Sequence, residues 1–104
     1  MTLQVAVGYS ENSDRVMELL EKVAQDFYND PSFKPDLVAE PKAPGIDRVR
    51  GNEVDYLMLV KVRPGRQHDV ARELRRRIKI CFEANKIKAG VPAMVFAGQT
   101  ETEK

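Results

Sequence analysis

Between Arg66 and Lys86 the chain carries seven Arg or Lys residues, in the stretch RQHDVARELRRRIKICFEANK. Of all its side chains, these have the types and spacing that most invite a chemical reading. Arg72, Arg76 and Lys79 recur at intervals of four and three, so a helix would align them on one stripe, flanked by Arg75, Arg77, Lys86 and Lys88. Such a stripe can bind nucleic acid, bind a membrane, or only keep one helix face wet. The segment also supplies counter-charges: Glu73 stands four residues before Arg77, and Glu83 lies near both Lys79 and Lys86. No aromatic residues interleave with the cations to stack bases, and no segment follows the K/R-G-F/Y-G/A-F-V pattern of sheet-borne RNA readers. Nucleic acid is therefore not an expected partner, and a solvated helix face is the expectation.

Catalytic chemistry finds less to build on. The one histidine, His68, falls in the first turn of the same charged segment, where an exposed helix position is expected rather than a general base. The one cysteine, Cys81, stands beside Phe82 on an apolar stripe and reads as a small core residue; it has no partner for an internal disulfide, which fits a reducing compartment. No Ser-His-Asp arrangement, paired carboxylates in a cleft, phosphate-binding G-x-x-x-x-G-K-[ST] loop or zinc-ligand spacing can be assembled. The sequence therefore implies no enzyme, no cofactor and no metal.

The elements that must position these side chains follow from hydrophobic periodicity. Leu3, Val5, Val7 and Tyr9 alternate, which predicts a half-buried strand. Asn12 or Ser13 then offers an N-cap, and Val16, Leu19, Leu20, Val23, Ala24 and Phe27 predict a helix ending between Asn29 and Pro31. Four prolines between Pro31 and Pro44 leave an extended path with at most a short edge strand through DLVAE. GIDRVRGNEVDYLMLVKVRPG reads as two strands joined at Gly51-Asn52, the second long and central. Its Val54, Tyr56, Met58, Val60 and Val62 point one way. Asp55, Leu57, Leu59, Lys61 and Arg63 point the other, a face polar at its ends that carries Leu57 and Leu59 in its middle. A second helix is expected from Arg66 to Asn85, with Val70, Leu74, Ile78, Cys81 and Phe82 on its inner stripe. VPAMVF can supply a last strand, and isolated Gly8 and Gly45 suit turns. The order predicts an α+β sandwich of the ferredoxin-like kind, with two helices on one face of an antiparallel sheet.

A chain of 104 residues, 42% apolar and 32% charged, has the make-up of one globular domain, and its net charge of +1 gives no overall field toward a polyanion. Apolar runs such as Leu57 to Val60 are far short of the ~20 residues that span a bilayer, and no secretory leader is visible at Met1. One domain over 1–98 and a solvated tail over 99–104 are expected.

The stretch VKVRPGRQHDVARELRRRIKICFEANKI resembles the C-terminal part of MscS-type small-conductance mechanosensitive channels. There a strand and a Pro-Gly turn precede a helix patterned R-E-L-x-x-R-I-K-x-x-F-x-x-x-x-I, here Arg72, Glu73, Leu74, Arg77, Ile78, Lys79, Phe82 and Ile87. VAVGYSENSDRVMELLEKVAQD resembles the family's strand ending in Tyr-Ser and the helix after it, so the likeness runs from Val5 to Val91. Beyond the second helix the chain departs from the family's G-I-x-I-P-F-P: Lys86 replaces the glycine, and Ala93 and Met94 follow Pro92.

The resemblance implies a cytoplasmic domain of a larger membrane protein, joined to the membrane only through N-terminal parts this chain lacks. In such channels seven copies of the domain build a vestibule that filters solutes on their way to the pore. Leu57, Leu59, Met94 and Phe96 are then the candidates for contacts with other copies, and Arg72, Arg76 and Lys79 the candidates for charges lining the vestibule. A free-standing ferredoxin-like module that binds a ligand or partner at its sheet edge is the alternative.

Overall fold

The computed structural model describes residues 1–88. In it β1 (Thr2–Gly8), α1 (Ser13–Tyr28), β2 (Lys42–Arg50), β3 (Glu53–Leu59) and α2 (Gln67–Ala84) follow one another, with a 3-10 turn at Lys34–Asp36. Both expected helices begin and end within a residue or so of their sequence signals. Asn12 is the cap of α1: its side-chain oxygen accepts the Arg15 N–H at 3.1 Å, satisfying one of the donors a helix start leaves orphaned. Asp14 in the same turn faces the positive end of the helix dipole. α1 stops where Asn29 closes it and Pro31, which has no N–H to give, follows.

The sheet order is β1-β3-β2, both pairings antiparallel, so β3 is central as its apolar composition requires. It is not the long strand that the sequence suggests: β3 has 7 residues and β2 has 9. Beyond Leu59 its pairing is confined to single contacts. Val60 gives its N–H to the Met1 carbonyl at 2.9 Å, and Val62 meets only an isolated bridge to Leu37, all that forms of the short edge strand expected in DLVAE. The hairpin turn falls at Gly51-Asn52, where Gly51 sits at φ +52°, a conformation glycine enters without a Cβ penalty. Gly45 is no turn residue; it stands inside β2 between two register shifts, the second of which bulges the strand at Asp47.

Both helices cover one face of this sheet. Val16, Leu20, Val23, Ala24 and Phe27 of α1 and Val70, Ala71, Leu74, Ile78 and Phe82 of α2 pack on Leu3, Val5 and Val7 of β1 and on Val54, Tyr56 and Met58 of β3. Each large apolar side chain buried this way contributes about 1.5–3 kcal/mol before entropy is counted. Cys81 only partly joins this core and stays half-buried.

α2 ends in a Schellman motif. Ile87 N–H reaches back to the Phe82 carbonyl at 2.9 Å and Lys86 N–H to the Glu83 carbonyl at 3.3 Å, which puts Lys86 in the left-handed region at φ +59°. Buried Ile87 then packs where the motif places its apolar contact. The architecture is the expected α+β sandwich, two helices on an antiparallel sheet of three strands among the described residues. The expected strand through VPAMVF, the candidates Met94 and Phe96, and the boundary at residue 98 lie outside the described residues. Among the described residues, no helix is long and apolar enough to cross a membrane.

Candidate functional site: an open sheet face and a cationic helix stripe

The sheet face turned away from the helices is built by β3's Glu53, Asp55, Leu57 and Leu59, with Gln4 and Ala6 from β1 and Lys42, Gly45, Arg48 and Arg50 from β2 in register beside them. Leu57 lies between Gln4 and Gly45, and the missing side chain at Gly45 leaves it open on one flank. Leu59 lies between Thr2 and Lys42 and is 41% exposed. The two leucines expected at an interface therefore share one face and are both accessible.

The same face holds a charge network that the sequence reading missed. Asp55 stands at what looked like the polar, solvated end of β3, yet it is only 2% exposed. Arg50 donates to it at 2.9 Å and Arg48 at 3.3 Å, while Arg50 also reaches Glu53 at 2.7 Å. A half-exposed guanidinium thus bridges two buried carboxylates, which supplies the pairing that buried charge requires. Gln4 adds a hydrogen bond at 2.9 Å from its side-chain amide to Asp47, reaching from one outer strand to the other across β3. The face is thus apolar at one end and fixed by ion pairs at the other. The signal was available: Arg48 and Arg50 alternate opposite Glu53 and Asp55 across the Gly51-Asn52 turn.

Ile46 and Val49 were also missed. They are large exposed apolar side chains paired with Tyr56 and Val54, on the helix-covered side of the sheet but beyond the helices. Their spacing of three does not read as strand alternation, and only the bulge at Asp47 brings both to one side.

On α2 the structure brings Arg72, Arg76 and Lys79 onto the outer stripe, opposite buried Leu74 and Ile78, and all are exposed. Arg76 pairs with Glu73 at 3.0 Å and Lys79 with Glu83 at 2.6 Å, so two of the three cations are partly neutralised by their own helix. The expected Glu73–Arg77 pair also forms, at 2.8 Å.

Arg77 has a further role. It pairs with Asp30 at the end of α1 and lies over the Phe27 and Phe33 rings, tying the two helices together. Partial burial works against its charge, but hydrogen bonds to Glu73 and Asp30 outweigh that and raise the guanidinium further. Asp30 is held below the ordinary carboxylate value first by the Ser32 backbone N–H and then by Arg77. Burial pushes the Cys81 thiol up, the opposite of what a nucleophile needs. His68 is exposed in the first turn of α2. Among the described residues no group of three metal-ligating side chains is placed to hold an ion.

The profile of the family described as "Mechanosensitive ion channel MscS, C-terminal" matches residues 1–89. A search of curated proteins gave no match. Among solved structures, the closed-state crystal structure of Helicobacter pylori MscS resembles this chain with a TM-score of 0.71 at 16% sequence identity. The match covers 97% of this chain and 38% of that one, so this chain spans well under half the length of the channel subunit it resembles. At that identity the structural likeness speaks for the fold, and the family match for descent. The helix pattern from Arg72 to Ile87, the sandwich that carries it and the profile match over residues 1–89 agree; the chain belongs to the MscS mechanosensitive channel family, as its C-terminal domain.

Proposed function

We propose that this domain forms part of the wall of a cytoplasmic vestibule beneath a mechanosensitive pore. There it would contribute to subunit assembly and to the filtering of solutes that reach the channel during osmotic shock. The pore is formed by parts that this chain does not contain, on the membrane side of the domain, and the assembly is a ring of identical subunits, seven by family resemblance. The observation that carries the reading is the division of the surface into two kinds. An accessible apolar pair, Leu57 and Leu59, sits on a sheet face stiffened by ion pairs, while the cations Arg72, Arg76 and Lys79 project from the outer side of α2.

The first surface suits a contact with another subunit, since accessible apolar side chains beside paired charges are the composition such contacts favour. The second suits a solute path, where a repeated ring of cations raises the local anion concentration. The test uses the full-length parent in membrane patches. Reversing Arg72, Arg76 and Lys79 together to Glu shifts the reversal potential in asymmetric salt toward cation preference, with the gating tension unchanged. Tension-gated currents with an unaltered reversal potential would remove the filtering role; the absence of any tension-gated current from the intact parent would remove the channel reading.

A further inference from the structure

The outer faces of the two helices carry opposite charge. α1 holds four carboxylates against two cations, and α2 five Arg or Lys cations against three carboxylates. The difference is sharper on single stripes. Asp14, Glu18 and Glu21 follow one another at spacings of four and three on the exposed side of α1, and Arg72, Arg75 and Lys79 at three and four on the exposed side of α2. Each stripe is ~10 Å long at ~1.5 Å per residue. Among the described residues Lys79 pairs with Glu83, and the other five make no ion pair inside the chain. Two such stripes of opposite sign are complementary to each other, provided that two copies supply them.

The two stripes do not meet within one chain. Arg75 and Lys79 border the groove between α2 and β1, whereas Glu21 borders the groove between α1 and β2. β1 and β2 are the outer strands of the described sheet, so the stripes lie on opposite flanks of the helix layer. The helices also run antiparallel. Arg15 at the start of α1 donates to the Asn85 carbonyl at the end of α2 at 3.0 Å, while Asp30 beyond the end of α1 pairs with Arg77. A copy set alongside in the same orientation would therefore bring its α1 antiparallel to this chain's α2. Reversing one stripe turns four-and-three into three-and-four, so all three positions fall in step: Arg72 opposite Glu21, Arg75 opposite Glu18, and Lys79 opposite Asp14.

We propose that a second copy of this chain docks on α2 through the acidic stripe of its α1, in that register. The contact is heterologous, because each copy offers an acidic flank to one neighbour and a basic flank to the other, and such contacts build rings or open arrays rather than closed pairs. It rests on the ring of subunits proposed above and names the surfaces at one seam of it. Arg76 turns toward the chain's own α1 and stays outside the pairing, and the Leu57–Leu59 face remains free. Exposed ion pairs are individually weak and screened by salt, so isolated chains associate only weakly through them.

The test is sedimentation equilibrium of the full chain at up to ~1 mM, in about 20 mM and about 300 mM salt, with amide shifts of the isotope-labelled chain followed by NMR over the same dilution. The expected result is association at least ~tenfold tighter at the lower salt, with the concentration-dependent shifts on the outer sides of α1 and α2. Glu18→Arg with Glu21→Arg, or Arg72→Glu with Arg75→Glu, abolishes it by setting like charges opposite one another. The chain carrying all four substitutions has the net charge of the parent chain and regains the association. No association at the lower salt, association indifferent to salt, or shifts confined to the sheet face of Leu57 and Leu59 would overturn the proposal. So would a quadruple variant that stays monomeric while circular dichroism shows it folded. The channel reading fails separately, since tension-gated currents of the full-length parent persist if only this seam is wrong.

Discussion

Lys86 is the most informative single position for testing how this chain ends its second helix. Its φ of +59° is a conformation that costs a non-glycine residue roughly 1–2 kcal/mol, because the Cβ crowds the neighbouring carbonyl. The Schellman bonds from Lys86 and Ile87 hold it there, and burial of Ile87 offsets the strain. Lys86→Gly removes the crowding but gives the unfolded chain extra freedom, a loss of about 0.5–1 kcal/mol. The net expectation is a gain of about 0.5–1 kcal/mol, which in a domain of this size raises Tm by about 2–8 °C. Lys86→Ala is the control, since it removes the same charge and keeps the Cβ. Thermal and urea unfolding followed by circular dichroism at matched concentrations should rank the glycine variant above both the parent chain and the alanine variant. A glycine variant no more stable than the alanine variant would mean that no left-handed strain is stored at this turn.

Three further outcomes follow from the geometry. Arg50→Met removes the guanidinium shared by buried Asp55 and Glu53; because that guanidinium is half-exposed, the cost is discounted from the fully buried case to about 1–3 kcal/mol. Urea unfolding should show it well beyond Arg76→Met, whose pair with Glu73 is surface-exposed, and equal midpoints for the two variants would contradict the assignment. Asp30 has a folded value below 3.8, so its ionised form adds stability above that pH and loses it as pH falls through the lower folded value. Asp30→Asn should therefore be less stable than the parent chain at about pH 7, with the gap closing in strong acid; a gap that does not change with pH would discount the interaction. In sedimentation at micromolar concentration the isolated chain should be a monomer or weak dimer, since among the described residues the exposed apolar side chains form only small groups. A stable heptamer in that experiment would show that the domain's own contacts suffice to close the ring.

Much of this was legible in the sequence because local signals and tertiary packing agree. The Asn12 cap, the Gly51-Asn52 hairpin and the apolar stripe from Val70 to Phe82 each name their element through backbone chemistry or periodicity, and the structure places all three as read. What was not legible depended on register. Asp55 looked solvated because strand alternation gives a face and not what lies across it; only the pairing with Arg48, and Arg50 beside it, shows that a carboxylate can be buried there. Gly45 read as a turn because nothing local announces a register shift, and Ile46 with Val49 escaped notice because the bulge breaks the period of two. β3 is shorter than its apolar run because beyond Leu59 Val62 meets only an isolated bridge to Leu37. Around the candidate site the positions of Leu57 and Leu59 on one sheet face and of the cations on the outside of α2 were legible in the sequence, whereas the ion pairs that stiffen the face between the strands were not.

Whether this domain works as part of a membrane channel subunit is read from an immunoblot of fractionated source cells with an antibody raised against the domain. The expected result is a band much heavier than the 11.8 kDa of this chain, confined to the membrane fraction. A single band at 11.8 kDa in the soluble fraction would contradict it, and would leave a free-standing α+β module whose function must be sought at its sheet edge.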